Sequence, residues 1–77
     1  MTLAEENYLK TIFHLERKLK SEVSTNALAE RMQTRASSVT DMMQKLADKK
    51  MLVYKKYQGG QLTEKGKKAA AYVVRKH

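Results

Sequence analysis

The chain has no cysteine and no proline, and its longest apolar run, residues 69–74, covers only six of the 77 positions. The absence of cysteine excludes a disulfide framework and any thiolate metal site, and it fits a reducing cytoplasm. A run of six apolar residues is far too short to span a membrane. Glu5 and Glu6 stand where a signal peptide would carry a basic segment. We therefore expect a cytoplasmic protein without a membrane partner.

The length of the chain predicts one small domain, residues 1–77, with a thin core. A chain of this size buries only about 60% of the surface that it exposes when unfolded, which disfavours a large enclosed active site. Hydrophobic residues still make up 42% of the sequence, enough for a globular fold. His14 and His77 are far apart, and the sequence has no phosphate loop, Ser/His/Asp arrangement or paired-carboxylate pocket. These features indicate a protein that is not an enzyme.

The net charge of +8 lies entirely in the second half of the chain. Residues 1–43 hold six basic and six acidic side chains, whereas residues 44–77 hold ten basic and two acidic ones. A basic charge confined to one part of a domain is typical of proteins that bind nucleic acid or an anionic membrane surface. The alternative is that the lysines only keep the surface solvated.

Two helices are predicted in the first 32 residues. Residues 3–20 repeat apolar side chains at helical spacing, and Thr2 with Glu5 forms a capping box at the start. A second, shorter helix is expected from Thr25 to Met32, capped by Ser24 or Thr25 itself. Between the helices, Val23 is expected to form a very short strand.

A third helix, from residue 36 to residue 49 or 50, is amphipathic. It is expected to begin with Ser37 or a near neighbour as its cap. One side carries an apolar stripe at helical spacing, formed by Val39, Met42, Met43 and Leu46. The opposite side carries short polar side chains and one acid, namely Ser37, Thr40, Asp41 and Gln44. A short helix, a turn over residues 33–35 and a second amphipathic helix form the helix-turn-helix pattern.

The remaining residues predict a β-hairpin and a final helix. Residues 52–57 are rich in β-formers, and Gln58, Gly59 and Gly60 signal a turn before the second strand. The tip of this hairpin, residues 55–60, is basic and is expected to be flexible. Thr63 is expected to cap the last helix, in which Gly66 suggests close approach to another backbone. The predicted fold is mostly α with a small β-hairpin, a winged helix-turn-helix in which the hairpin is the wing.

The third helix and the wing carry the candidate DNA contacts. Recognition helices direct their N-terminal residues at base edges. The polar residues at and near the start of this helix have side chains that suit base recognition: Arg35, Ser37, Ser38, Thr40, Asp41 and Gln44. Phosphate contacts are assigned to lysines, mainly Lys45, Lys55 and Lys56 and also Lys49 and Lys67. Asp41 either selects a base while repelling phosphate or only favours the helix dipole, and each lysine is alternatively a solvated surface residue.

Four stretches together resemble one protein family. EENYLKTIFHLE, SSVTDMMQKL, YKKYQGGQLTEKGKK and VRKH are similar to the metal-dependent repressors of the diphtheria toxin repressor (DtxR) type, especially the manganese transport regulator (MntR) branch. The resemblance covers essentially the whole chain. It implies a cytoplasmic bacterial transcription factor that binds Mn(II) or Fe(II), forms a homodimer and represses metal-uptake genes. It also implies that the dimerisation and metal-binding domain follows His77 and is absent from these residues.

The resemblance transfers the metal site only in part. His77 and Asn7 match ligand positions of the family, but Lys10 stands where the manganese branch has a glutamate ligand. We therefore expect a partial site that acts only in a longer protein, and no tightly bound metal on residues 1–77. Asp41 also departs from the manganese branch, which can carry lysine there.

The sequence leads to one main functional hypothesis and two alternatives. The main hypothesis is sequence-specific binding of double-stranded DNA by a metal-dependent transcriptional repressor of metal-homeostasis genes. The first alternative is a winged-helix protein-interaction module. The second is a MarR-like regulator that responds to an organic ligand.

Overall fold

The computed structural model describes residues 1–55 and 58–76 of the chain, so the predictions for Lys56 and His77 lie outside the described residues. Four helices and a two-stranded sheet follow one another along this part of the chain: α1 (Leu3–Leu19), α2 (Thr25–Met32), α3 (Ala36–Asp48), β1 (Leu52–Lys55), β2 (Gly59–Leu62) and α4 (Glu64–Lys76). This is the predicted order of a winged helix-turn-helix. No helix in the described residues is both long enough and apolar enough to cross a membrane.

The capping box predicted for α1 is confirmed. The Thr2 hydroxyl accepts a hydrogen bond from the Glu5 amide at 3.1 Å, and the Glu5 carboxylate accepts one from the Thr2 amide at 2.9 Å. The helix ends one residue before the predicted end, because Lys20 adopts the left-handed conformation with φ of 56°. Apolar residues on one side of α1 enter the core, namely Tyr8, Leu9 and Ile12.

The helix-turn-helix consists of α2, the turn 33–35 and α3. The Ser24 hydroxyl caps α2 by accepting a hydrogen bond from the Ala27 amide at 3.0 Å. Gln33 closes α2 in the left-handed conformation, and the Thr34 amide donates to the Ala29 carbonyl at 3.0 Å. These bonds satisfy carbonyls at the end of α2 and redirect the chain.

The cap of α3 is a near neighbour of Ser37, not Ser37 itself. Arg35, not Ser37, occupies the N-cap position, and its side chain makes no capping hydrogen bond. Ser37 lies inside the first helical turn, because the helix already begins at Ala36. The helix ends at Asp48, slightly before the predicted end.

The wing is the two-stranded hairpin of β1 and β2, to which Val23 adds an isolated β-bridge. β1 pairs antiparallel with β2, and Lys55 lies opposite Gly59. On the other edge of β2, Val23 and Gly60 exchange two backbone hydrogen bonds of 2.9 and 3.0 Å, which confirms the short strand predicted at Val23. The turn predicted over residues 58–60 was wrong at the two glycines, which are buried residues of β2, whereas Gln58 lies in a turn and its amide donates to the Lys55 carbonyl at 3.0 Å. The glycines belong in the sheet because β2 lies between β1 and Val23, and the Val23 backbone lies close against Gly59.

The close approach to another backbone that was expected at Gly66 is confirmed. A Cβ at this position would lie 1.9 Å from the Met51 carbonyl oxygen, so only glycine lets α4 approach that loop. The Thr63 hydroxyl caps α4 by accepting from the Gly66 amide at 3.0 Å, and it donates to the Lys50 carbonyl at 2.8 Å. The start of α4 is thereby fastened to the loop that follows α3.

The core determines which side of α3 faces outward. Val39, Met43 and Leu46 are fully buried, while Met42 from the predicted stripe is only partly buried. They pack with apolar side chains from the other elements, including Leu9, Ile12, Val23, Leu28, Leu52, Leu62 and Ala70. Because one side of α3 faces this core, its opposite side is available to a partner.

Candidate nucleic-acid interface

The outward side of α3 brings together the residues predicted to read DNA bases. Five of them are exposed and Thr40 is partly buried; the exposed ones are Arg35, Ser37, Ser38, Asp41 and Gln44. They occupy the first three turns of the helix and its N-cap position. Hydroxyl, amide, guanidinium and carboxylate groups on one helix surface can donate to and accept from base edges.

The N-terminus of α3 is suited to an anion. The helix has no acidic side chain in its first turn, and the Arg35 side chain does not cap it. The first amide groups of a helix have no partner inside the helix, and together with the helix dipole they favour a phosphate. The same end of α3 therefore combines the side chains predicted to read bases with a backbone suited to phosphate.

Asp41 lies in the second turn of α3, five residues after the helix begins at Ala36. The stabilising effect of an acid on the helix dipole is confined to about the first turn. Asp41 therefore lies too far from the N-terminus of α3 to interact favourably with the helix dipole. Its carboxylate is exposed, and no cation in the described residues forms an ion pair with it.

Gln44 has a partner that the sequence analysis did not identify. Its amide nitrogen donates a hydrogen bond of 3.4 Å to the Asp48 carboxylate, one turn further along α3. The spacing of four residues was the signal that could have revealed this pair. The contact orients the Gln44 amide on the outward side of the helix.

The lysines near the end of α3 differ in their surroundings. Lys45 is exposed and lines a cleft of about 420 Å³ between the start of α1 and α3. Lys49 lines the same cleft, but its ammonium binds the buried Glu5 carboxylate. Within residues 1–55 and 58–76, Lys45 has no acidic partner, whereas Lys49 is paired with Glu5.

The wing places one lysine within reach of an acid. The Lys55 ammonium lies 3.7 Å from the Glu22 carboxylate, and both side chains are largely exposed. Sequence analysis missed Glu22, because the two residues are brought together only by the sheet that joins Val23, β2 and β1. Lys67 forms a weaker local pair with Glu64 at 3.9 Å on α4.

A family model matches residues 1–60, and its description is "Iron dependent repressor, N-terminal DNA binding domain". The chain belongs to this family. The outward side of α3 and the wing described above are therefore parts of a DNA-binding domain of the iron-dependent repressor type. The family match favours this hypothesis over the protein-interaction module and the MarR-like regulator.

Relatives of known type agree with the family match. The HTH-type transcriptional regulator MntR of Oceanobacillus iheyensis is 40% identical over 76 residues, which are 99% of this chain and 51% of that protein. The MntR protein of Bacillus subtilis is 42% identical over 77 residues, covering 99% of this chain and 53% of that protein. The chain thus spans about half the length of these relatives.

Solved structures share the fold. The manganese regulator SloR is similar with a TM-score of 0.76 and 34% identity, covering 100% of this chain and 35% of that one. The structure of ScaR with bound Zn2+ has a TM-score of 0.78 and 33% identity, covering 95% of this chain and 33% of that one. MepR, a transcription regulator from Staphylococcus aureus, has a TM-score of 0.79 but only 17% identity, which shows the fold alone.

The predicted metal donors do not form a site within the described residues. Asn7 is exposed on α1, and Lys10 follows it one turn later. No three His, Asp or Glu side chains in residues 1–55 and 58–76 lie close enough together to hold an ion. A lysine ammonium beside the single amide donor does not suit a divalent cation. This donor set therefore does not fit a complete Mn(II) or Fe(II) site.

Proposed function

We propose that this domain binds double-stranded DNA by placing the N-terminal half of α3 in the major groove. The observation that carries the proposal is the single outward surface of α3, on which the candidate base contacts are grouped: Arg35, Ser37, Ser38, Thr40, Asp41 and Gln44. Arginine suits guanine, glutamine suits adenine, aspartate suits the cytosine amino group, and serine or threonine suits several bases. These side chains would give the domain its sequence preference.

Lysines would supply most of the affinity through the phosphate backbone. Lys45 beside the base-reading surface and Lys55 at the end of β1 are the best-placed cations, and Lys56 follows Lys55 in the chain. Such contacts position a protein on the duplex without reading its sequence. A single copy of the domain should bind in the nonspecific range, roughly 10⁻⁴ to 10⁻⁶ M.

We further propose that the longer protein to which such a domain belongs is a metal-dependent repressor of metal-homeostasis genes. The support is the family match together with one similar structure named as a manganese regulator and another with bound zinc. It would act as a homodimer in the bacterial cytoplasm, with Mn(II) or Fe(II) as its metal. Asn7 and His77 are the donors that this chain would contribute, with the remaining donors outside residues 1–77.

Charge reversal tests the proposed DNA interface. We expect Lys45→Glu combined with Lys55→Glu to weaken binding of a duplex at least tenfold, because two phosphate contacts become repulsive. Lys18→Glu combined with Lys20→Glu is the matched control, since these two exposed lysines lie at the end of α1, outside the proposed interface. A protein-interaction module predicts no DNA binding by the unaltered domain. Equal effects of the interface variant and of the control would contradict the proposed contacts.

Metal titration tests the partial site. Calorimetry with Mn(II) on residues 1–77 should detect no submicromolar binding, because the described residues hold no cluster of three suitable ligands. Submicromolar binding to these residues would contradict the proposal that the remaining donors lie elsewhere.

A further inference from the structure

Glu22 and Lys55 meet across the outer surface of the wing. Val23 pairs with Gly60, so the preceding residue, Glu22, lies along the edge of the sheet. Lys55 ends β1 on the opposite side of β2. The two charged groups are 3.7 Å apart, and their side chains are 44% and 60% exposed. The pair therefore bridges β1 and the segment at Val23 across β2.

Strand β2 leaves room for this contact. Gly59 is the residue of β2 that lies opposite Lys55, and it has no side chain to stand between β1 and the segment at Val23. A side chain there is excluded, because a Cβ would lie 2.2 Å from the Val23 carbonyl oxygen and the backbone φ is 129°. The close packing of Val23 on Gly59 thus holds the segment bearing Glu22 beside the wing.

A phosphate would compete with Glu22 for the same ammonium group. The Lys55 ammonium has to leave the carboxylate, at least in part, before it can contact DNA. The exposed carboxylate then stays close to the DNA backbone and repels it. Both effects lower the affinity of the domain for DNA.

We propose that Glu22 is an intramolecular competitor for the wing lysine Lys55 and thereby lowers the affinity of the domain for DNA phosphate. This inference rests on the proposed DNA contact of Lys55. Because phosphate carries no sequence information, the effect is the same on every duplex. Glu22 therefore sets the general affinity, while the side chains of α3 set the sequence preference.

The size of the effect follows from the exposure of the pair. Exposed ion pairs are weak, so removing the competitor should tighten DNA binding only about twofold to fivefold. The gain should decrease as salt is raised, because ions screen exposed charges over about 10 Å at 0.1 M.

A double-mutant cycle on the 77-residue chain tests the proposal. Fluorescence anisotropy with a labelled random duplex at low salt would compare the unaltered chain with Glu22→Gln, Lys55→Gln and the double variant. We expect Glu22→Gln to tighten binding about twofold to fivefold, Lys55→Gln to weaken it, and the double variant to match Lys55→Gln. Glu30→Gln is the matched control, because it also removes one exposed acid but lies on α2, away from the candidate phosphate contacts.

The outcomes separate this inference from the proposed function. A gain from Glu22→Gln that persists without Lys55, or that Glu30→Gln reproduces, indicates a general charge effect and overturns the competitor role. If Lys55→Gln weakens binding but Glu22→Gln has no effect, Glu22 is not a competitor, although the DNA interface stands. If the unaltered chain binds DNA and Lys55→Gln has no effect, the wing contact is wrong and the competitor role falls with it. If the unaltered chain binds no duplex, the proposed function itself fails.

Discussion

The ammonium of Lys49, immediately after α3, binds the buried carboxylate of Glu5 in the first turn of α1. This hydrogen bond, followed by that from the Thr2 amide, lowers the pKa of Glu5 to about 2, although burial acts in the opposite direction. The two residues are 44 positions apart in the chain. The pair therefore fixes the end of α3 to the start of α1.

Replacing Glu5 by glutamine should destabilise the domain by about 1–3 kcal/mol at pH 7, because the neutral side chain cannot form this charged pair. The pKa of the folded carboxyl is depressed, so its contribution is complete above the unfolded value of 4.5 and is lost as pH falls towards about 2. Urea unfolding followed by circular dichroism at pH 7 and pH 3 measures the difference.

The control for Glu5 is Glu30→Gln, which alters an exposed acid on α2 and should change stability little. A difference between the unaltered chain and Glu5→Gln that is as large at pH 3 as at pH 7 would show that the carboxylate charge is not the cause.

Gly66→Ala should destabilise the domain by about 1–3 kcal/mol through overpacking, because the added Cβ would lie 1.9 Å from the Met51 carbonyl oxygen. Helix propensity alone predicts the opposite sign, since alanine is favoured over glycine by about 1 kcal/mol. Thermal unfolding of this variant beside Lys68→Ala, an exposed position on the same helix, measures the effect. A stabilised Gly66→Ala variant would contradict the close approach of α4 to the loop after α3.

Asp41→Ala should tighten nonspecific DNA binding and relax the choice of sequence, because it removes a carboxylate that repels phosphate and demands a particular base partner. Its effect on folding stability should be small, since Asp41 lies beyond the first turn of α3. Competition between a random duplex and one enriched by selection in vitro measures both properties. Unchanged or weaker nonspecific binding would exclude the role of Asp41 as a filter.

Short-range patterns in the sequence were sufficient to predict the helices. The capping box of Thr2 and Glu5, the Ser24 cap and the Thr63 cap each involve residues three positions apart, and all are confirmed. The expected close approach at Gly66 is also confirmed. Local chemistry determines these features, so one sequence is enough to recognise them.

The identities of partners that are distant in the sequence could not be predicted. Two adjacent glycines between β-forming runs are typical of a turn. Gly59 and Gly60 instead belong to β2, where Gly60 also pairs with Val23. The partners of Lys49 and Lys55 come from other elements, which no local spacing reveals. The base-reading set on α3 stays a prediction, since its grouping on one surface follows from helical periodicity whereas its DNA contacts require a complex.

The salt dependence of duplex binding by the 77-residue chain tests the central claim most directly. Fluorescence anisotropy titrations at 50 and 200 mM salt should show affinity falling by about 40-fold if three lysines contact phosphate, because each contact contributes a slope of about 0.9 in the logarithm of salt concentration. Neutralising Lys45 should lower the magnitude of that slope by about 0.9, the contribution of one phosphate contact. An affinity that does not change with salt, or a slope unaffected by the loss of Lys45, would contradict the proposed DNA interface.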